Sequence, residues 1–244
     1  MSGPAVWLSW AMWVPGLAMA WALVVDTRWG EPPAWAHPVV AMGRYLGLWT
    51  ARLCAMPPAA ARLGGALVWW LGALLVLAFA LSLDVSLASL LALLCWGDDP
   101  APGATALATF ALARALGLGL LLKPLLSWRM LRDEVQAVDA ALTRSLPDGR
   151  RQLARLVSRD VLALDATQVR ESAIESLAEN LNDSVVAPLW WFAVAGLPGA
   201  ALYRYANTAD AMWGYPEHGA RGAFAARADD LLNQIGRASC RERV

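Results

Sequence analysis

Three stretches of the chain, residues 7–25, 64–83 and 104–122, run for membrane-crossing length with almost no charge. A helix needs about 20 apolar residues to cross the hydrocarbon of a bilayer. Lipid leaves backbone amides no partner, so only helices or closed barrels cross it. The runs therefore exclude a soluble globular fold and predict an all-α, polytopic integral membrane protein. Composition agrees, with 58% hydrophobic and 16% charged residues, against about 25% charged in soluble domains. The formal net charge is zero, so no field draws nucleic acid, and none is expected as a partner. Trp7, Trp10 and Trp13 open the first run as an interfacial aromatic belt would. No basic segment precedes that run, and it ends in VVDTRWGEPP rather than a small-residue cleavage site, so it reads as a span and not a signal peptide.

The segments between the runs set the topology. The 26–62 connection carries Arg28, Arg44, Arg52 and Arg62, which places it on the cytoplasmic side. Pro32, Pro33 and Pro38 are expected to keep it from forming regular helix. Asp84 ends the second run, and the apolar residues 85–96 beyond it are expected to form an interfacial or re-entrant piece. Region 84–103 holds Asp98 and Asp99 but no Lys or Arg, and so faces away from the cytoplasm. Arg114, inside the third run, must face the protein interior or a wet cavity. Residues 123–183 read as an inserted cytoplasmic helical block. A turn is expected at Pro147-Asp148-Gly149, then a helix through Leu164, then a helix capped by Asp165 or Thr167. Residues 185–203 turn apolar again, but Pro188, Gly196, Pro198 and Gly199 predict a broken or re-entrant segment. The division is one membrane domain over 1–234. The tail 235–244, IGRASCRERV, breaks the composition abruptly, resembles a translated sequencing adapter, and is expected to be non-native.

Acidic residues group in three places. Glu171, Glu175, Glu179 and Asp183 recur every four residues on one helix face, with Asn180 and Asn182 beside them. Asn207 and Asp210 follow Arg204, and Asp229 and Asp230 follow Arg227, with Asn233 a turn later. Each group alone fits a solvated helix face. Three of them beside membrane segments suit Mg²⁺ sharing its coordination with substrate phosphates. The interspersed arginines suit phosphate or carboxylate, and the combination points to phosphoryl chemistry. Cys54, Cys95 and Cys240 have neither metal-ligand spacing nor a disulfide framework. With His37 and His218 the only histidines, a multi-histidine metal site is excluded. No GxxxxGK[ST], GxGxxG or GxSxG occurs, so nucleotide use would need a non-standard site.

Four stretches carry a family resemblance. Asp26, Gly30-Glu31-Pro32, His37-Pro38-Val39 and Gly43 are similar to an N-terminal D…GDP…HPV…G signature. Arg159-Asp160 stands where the family has GRDT, with Ser158 and Val161 in place of its first and last residues. Glu175 to Asn180, Asp183 and Val185 to Pro188 are very similar to ESLAEN..DGVVAP, with Ser184 replacing the glycine. Tyr203-Arg204, Asn207-Thr208, Asp210, Met212, Gly214-Tyr215, Ala226-Arg227 and Asp229-Asp230 resemble YR..NTLDSMVGY…ARLDD. On these motifs the chain resembles the adenosylcobinamide-phosphate synthase family of cobalamin biosynthesis.

The resemblance implies a multi-pass enzyme of the bacterial cytoplasmic (inner) membrane. It implies an ATP-dependent, Mg²⁺-assisted amide ligation between a corrinoid carboxylate, adenosylcobyric acid, and aminopropanol phosphate, or threonine phosphate in some routes. It implies catalytic roles for Glu175, Glu179, Asn180 and Asp183. Arg204, Asn207, Arg227, His37 and Glu31 would contact substrate or phosphate, and Asp210, Asp229 and Asp230 would be metal ligands. Membrane lipid and other cobalamin-assembly enzymes are the implied partners. Further membrane helices after the matched region are implied too, so a C-terminal truncation is expected. A membrane transporter or sensory protein of the same architecture is the alternative. Transport would place ionisable groups at mid-membrane; a ligase would gather acids and arginines at one membrane face.

Overall fold

A computed structural model describes residues 4–97, 99, 102–157, 159–214 and 221–233, with side chains from residue 13 onward. The side chains of Trp7 and Trp10, together with Asp98, Ser158, Tyr215, His218 and the tail 235–244, lie outside the described residues. The described chain is helical, with no strand. Its helices are α1 (Pro4–Trp29), α2 (Pro38–Cys54), α3 (Pro58–Trp96), α4 (Ala104–Leu122), α5 (Trp128–Arg144), α6 (Leu146–Leu153), α7 (Ala166–Leu181), α8 (Ala187–Trp213) and α9 (Ala223–Leu232). A 3₁₀ turn follows α4 and a π-turn, Asn182–Val186, joins α7 to α8. Three stretches are long and apolar enough to cross a membrane: α3, α4 with its 3₁₀ turn, and the α7–α8 run. This is an all-α membrane protein.

α3 corrects the expectation of a span followed by a separate piece, because it is continuous for 39 residues. Past Gly72 it contains no glycine or proline. The one charge in that stretch, Asp84, is neutralised by Arg114, whose Nη2 donates to Asp84 Oδ1 at 2.9 Å. The 26–62 connection is also more ordered than its prolines predict. They are confined to residues 32–38 and 57–58, and Pro38 opens α2 at its first turn, where a missing N–H costs nothing. α2 buries Met42, Leu46 and Leu53, and its Tyr45 hydroxyl donates to the Val68 carbonyl of α3 at 2.9 Å.

The α7–α8 run does not cross as one rod. A straight helix would hold Asp183 and Arg204, 21 residues apart, about 30 Å from each other. Instead Arg204 Nη1 lies 3.1 Å from the Asp183 carbonyl. The reversal is at Ala195 (φ −135°, ψ 20°) and Gly196 (φ 63°, ψ −159°), a left-handed conformation that favours glycine. Pro198 lacks an N–H and helps keep the ladder open. The half-helix 187–195 reaches in by about 13 Å, less than half the bilayer hydrocarbon of about 30 Å. Gly199 packs so tightly on the Trp191 carbonyl that a Cβ would clash.

α1 and α4 run side by side in the same direction. Ala18 meets Gly119, where a side chain would collide with the Ala18 carbonyl, the close approach small residues allow in membranes. Together with α3 they cover the hairpin in one core that includes Ala22, Trp69, Leu118, Phe192, Leu197 and Tyr205.

The inserted block keeps its own core of Val138, Leu153, Val161, Val169 and Ala173. Asp165 caps α7 in a capping box with Gln168. Two details differ from the sequence reading. The Pro147–Gly149 turn is the first turn of α6, because Ser145 caps it by accepting from Asp148 N at 3.2 Å. The helix expected through Leu164 ends at Leu153, and Val161 packs into the block core from irregular chain.

The Asp84–Arg114 pair yields a test. Asp84→Asn and Arg114→Leu each strand one charge among apolar helices, and each is expected to cost about 2–3 kcal/mol. The double variant Asp84→Leu/Arg114→Leu should recover most of that loss in thermal unfolding in detergent. A double variant no more stable than the singles would contradict the pairing.

Candidate active site

The hairpin brings three segments to one place: the π-turn after α7, the outgoing half of α8, and α9. A π-turn interrupts regular helix, and such turns recur at functional sites. Here it presents Asp183. Asn207 Nδ2 donates to Asp183 Oδ2 at 3.1 Å, and Asn182 Nδ2 donates to Oδ1 at 3.0 Å. The Tyr203 hydroxyl donates to Asn233 Oδ1 at 2.6 Å and lies 3.3 Å from Asp183 Oδ1. Asn233 Nδ2 in turn donates to Asp229 Oδ2 at 2.9 Å. Arg204 is 6% exposed. Its Nη1 reaches the Asp183 carbonyl and Ser184 Oγ, both at 3.1 Å, while its Nε has no partner.

Asp229 Oδ1 is also buried without a partner. Burial pushes the Asp229 carboxyl up from 3.8 to about 6. The Asp210 and Asp183 charges add to the rise, and hydrogen bonds with Asn233 and Asn207 oppose it. Trp191 Nε1 donates to the Leu232 carbonyl at 3.2 Å, pinning α9 to the hairpin.

A second group of charges lies beside the first. Ser127 N donates to the Ser184 carbonyl at 3.1 Å, which joins the start of α5 to the π-turn. Asp26, at the end of α1, is fully buried. It accepts from Arg129 N at 2.9 Å and pairs with Lys123 Nζ at 3.4 Å. Lys123 Nζ is also 4.0 Å from Glu31 Oε2, and His37 Nε2 is 2.8 Å from the same oxygen. Gly30, with φ 66°, packs against the Arg129 side chain and turns the chain from α1 toward Glu31. Burial works to raise the Glu31 carboxyl. The His37 hydrogen bond, the Lys123 charge and the Ser127 hydroxyl outweigh it and hold the group below its ordinary value. The Ser127–Ser184 backbone bond sets this group beside the first, and the Glu31 charge acts on Arg204.

The residues singled out in the sequence divide. Asp183, Arg204, Asn207, Asp210, Asp229, Glu31 and His37 converge. Glu175 faces outward and pairs with Arg159 at 2.7 Å. Glu179 is exposed, one turn before Asp183. Asn180 turns its amide back to the Ser176 carbonyl at 2.8 Å. Arg227 and Asp230 are exposed on α9 while Asp229 is buried. Among the described residues no three acid, histidine or cysteine side chains gather closely enough to hold a metal ion alone. The donor set instead suits an ion shared with substrate phosphates, the usual mode for Mg²⁺. Asp26, Lys123, Ser127 and Tyr203 were missed as site residues. The signal for Lys123 was present: it is the chain's only lysine.

A protein-family model described as CobD/Cbib protein matches residues 19–238. The chain belongs to the CobD/CbiB family. It is 39% identical over 226 residues to the probable cobalamin biosynthesis protein CobD of Pyrococcus abyssi, covering 90% of this chain and 66% of the relative. Identity to the cobalamin biosynthesis protein CobD of Stutzerimonas stutzeri is 41% over 224 residues, with 90% and 65% covered. For the protein of that name from Chromobacterium violaceum it is 40% over 222 residues, with 88% and 63% covered. The chain thus spans about two thirds of the length of the curated relatives it matches. No solved structure matches it.

Asp229 gives a pH test. Its folded value, about 6, lies above the ordinary 3.8. The fold therefore penalises the ionised form, and the penalty stands above about pH 6 and disappears as pH falls toward about 4. Asp229→Asn removes it. The variant should exceed the wild type in melting temperature near pH 7–8, with the difference shrinking as pH falls to about 4–5. A difference independent of pH would contradict the burial of that charge.

Proposed function

We propose that this protein acts in cobalamin biosynthesis by joining a corrinoid carboxylate, adenosylcobyric acid, to the amine of aminopropanol phosphate in an ATP-dependent amide ligation. The supporting observation is the convergence of Asp183, Arg204, Asn207 and Asp229 with Glu31 and His37 where α1, α4 and the hairpin end. A phosphate would meet one buried, unpaired donor there, Arg204 Nε, while the buried, unpaired acceptor Asp229 Oδ1 suits a cation carried with it. Such atoms cost about 1–3 kcal/mol each when left unmade.

In this reading the terminal phosphoryl group of ATP passes to the corrinoid carboxylate, and ADP leaves. The amine then attacks the acyl phosphate, giving the amide, adenosylcobinamide phosphate, and inorganic phosphate. Arg204 neutralises phosphate charge. Asn207 and Asn182 hold Asp183 in place. Mg²⁺, when bound, would be shared between substrate phosphates and the Asp183 and Asp229 carboxylates and would offset phosphate charge. Glu175, Glu179, Asn180, Arg227 and Asp230 act at the rim, where they meet the incoming substrates. The site works at the cytoplasmic face of a bacterial inner membrane, beside other cobalamin-assembly enzymes.

One observation favours transport as a second reading. A cavity of about 350 Å³ at the hairpin tip is lined by Gly196, Asp84 and Arg114. These are ionisable groups set within the spans, as a translocation path would need.

Purified protein in lipid nanodiscs, given adenosylcobyric acid, aminopropanol phosphate and MgATP, should form the amide with release of ADP. Asp183→Asn should lower turnover by about 10²-fold or more and leave the melting curve near wild type. Folded protein that makes no amide with aminopropanol phosphate or threonine phosphate rejects the ligase reading. Corrinoid uptake into proteoliposomes without chemistry would support transport.

A further inference from the structure

His37 is fixed through its backbone and through one nitrogen of its ring. It stands before Pro38, which keeps its backbone extended (φ −87°, ψ 115°) at the start of α2. Nε2 lies 2.8 Å from Glu31 Oε2. Glu31 is a carboxylate hydrogen-bonded by Ser127 and set 4.0 Å from Lys123 Nζ. A carboxylate only accepts, so the bond places the neutral ring's proton on Nε2. Nδ1 is then the lone-pair nitrogen, and it is buried with no partner in the protein. A carboxylate orienting an imidazole whose other nitrogen is free is the arrangement of a general base.

The base lies beside usable space. Its neighbours Ala36 and Pro38 line an apolar cavity of about 420 Å³ bounded by Tyr45, Phe79, Leu197 and Tyr205. Glu31 also lines a cavity of about 320 Å³ on the side of the inserted block, with Arg129, Asp133 and Gln152. The charged groups around the ring are Glu31, Lys123 and Asp26, with Arg204 in electrostatic reach of Glu31 and Arg129 packed on Gly30. Lys123 and Asp26 are 7% and 0% exposed. Asp26 holds Lys123, and the Lys123 charge beside Glu31 favours its ionised form.

We propose that His37 is the general base that deprotonates the attacking amine, with Glu31 as its orienting partner. The proposal rests on the amide-ligation reading above. A primary amine reaches the site as an ammonium ion, which has no lone pair to attack with. One proton passes to His37 Nδ1, and the freed nitrogen attacks the acyl carbon. The C–N bond forms, the bond from that carbon to the phosphate oxygen breaks, and its electron pair leaves with phosphate. A second nitrogen proton goes to the departing phosphate, and Nδ1 later releases its proton to water.

Hydroxylamine separates this role from a structural one, because it is neutral at pH 7 and traps acyl phosphates as hydroxamates without a base. In nanodisc-held protein with MgATP and adenosylcobyric acid, His37→Asn and His37→Gln should form hydroxamate within about twofold of wild type. With aminopropanol phosphate at pH 7 they should lose about 10²–10⁴-fold in kcat. That loss should shrink as pH rises and the substrate deprotonates in water, and added imidazole should restore part of it. Glu31→Gln should show the same split with a smaller loss. Equal loss of hydroxamate and amide, or equal retention of both, would overturn the assignment. Wild-type protein that yields neither product would overturn the ligation reading itself, and this proposal with it.

Discussion

A backbone that reverses direction among membrane helices leaves amide groups without their helical partners, and lipid offers none. The turn at Ala195–Gly196 is such a reversal, and the surrounding architecture follows from hiding it. α1 and α4 pack face to face through Ala18 and Gly119, and α3 closes the other side with Trp69 and Ala73. Trp191 bonds to α9, and Trp213 Nε1 donates to Thr50 Oγ1 of α2 at 3.0 Å. The hairpin is thereby held at both ends. Its two arms bring residues some twenty positions apart into hydrogen-bond contact, and that contact is the candidate site.

Charge is scarce in such a frame and is placed accordingly. Asp84 and Arg114 neutralise one another near the hairpin tip. Asp26 and Lys123 do so where α1 and α4 end. Around the site the pairing is incomplete in a particular way. His37, Glu31, Arg204 and Asp229 each keep one buried polar atom without a hydrogen-bond partner. Most buried polar groups in folded proteins are satisfied, and these four unpaired atoms are what the proposed ligand contacts would use. The inserted block, with its separate core, carries the rim, where Glu175 is paired with Arg159 and Glu179 faces outward.

The sequence was most legible where one rule dominated. Apolar runs of membrane length became helices, and Asp165 capped α7 as its position suggested. Pattern misled where two rules competed. Proline spacing argued against α2, but Pro38 fell at a first turn where it is harmless. Asp84 looked like the end of a span because its partner, Arg114, stands 30 positions away. Glu175, Glu179 and Asp183 share one helical stripe in sequence, yet the π-turn shifts Asp183 inward and leaves the other two outside. Asp229 and Asp230 are adjacent, yet only the first is buried, because neighbouring helical residues point about 100° apart.

The sequence by itself determined the class of molecule, the family, and the segments that hold its polar chemistry. Those depend on local hydropathy and on runs of neighbouring residues. Which carboxylates face inward, which nitrogen of His37 is free, and the role of the chain's only lysine were decided by tertiary structure. They hinge on a reversal at Gly196 and on helix ends meeting across 100 residues of chain, as Arg129 N meets Asp26. No local pattern encodes such contacts, since their energy comes from groups that burial brings together.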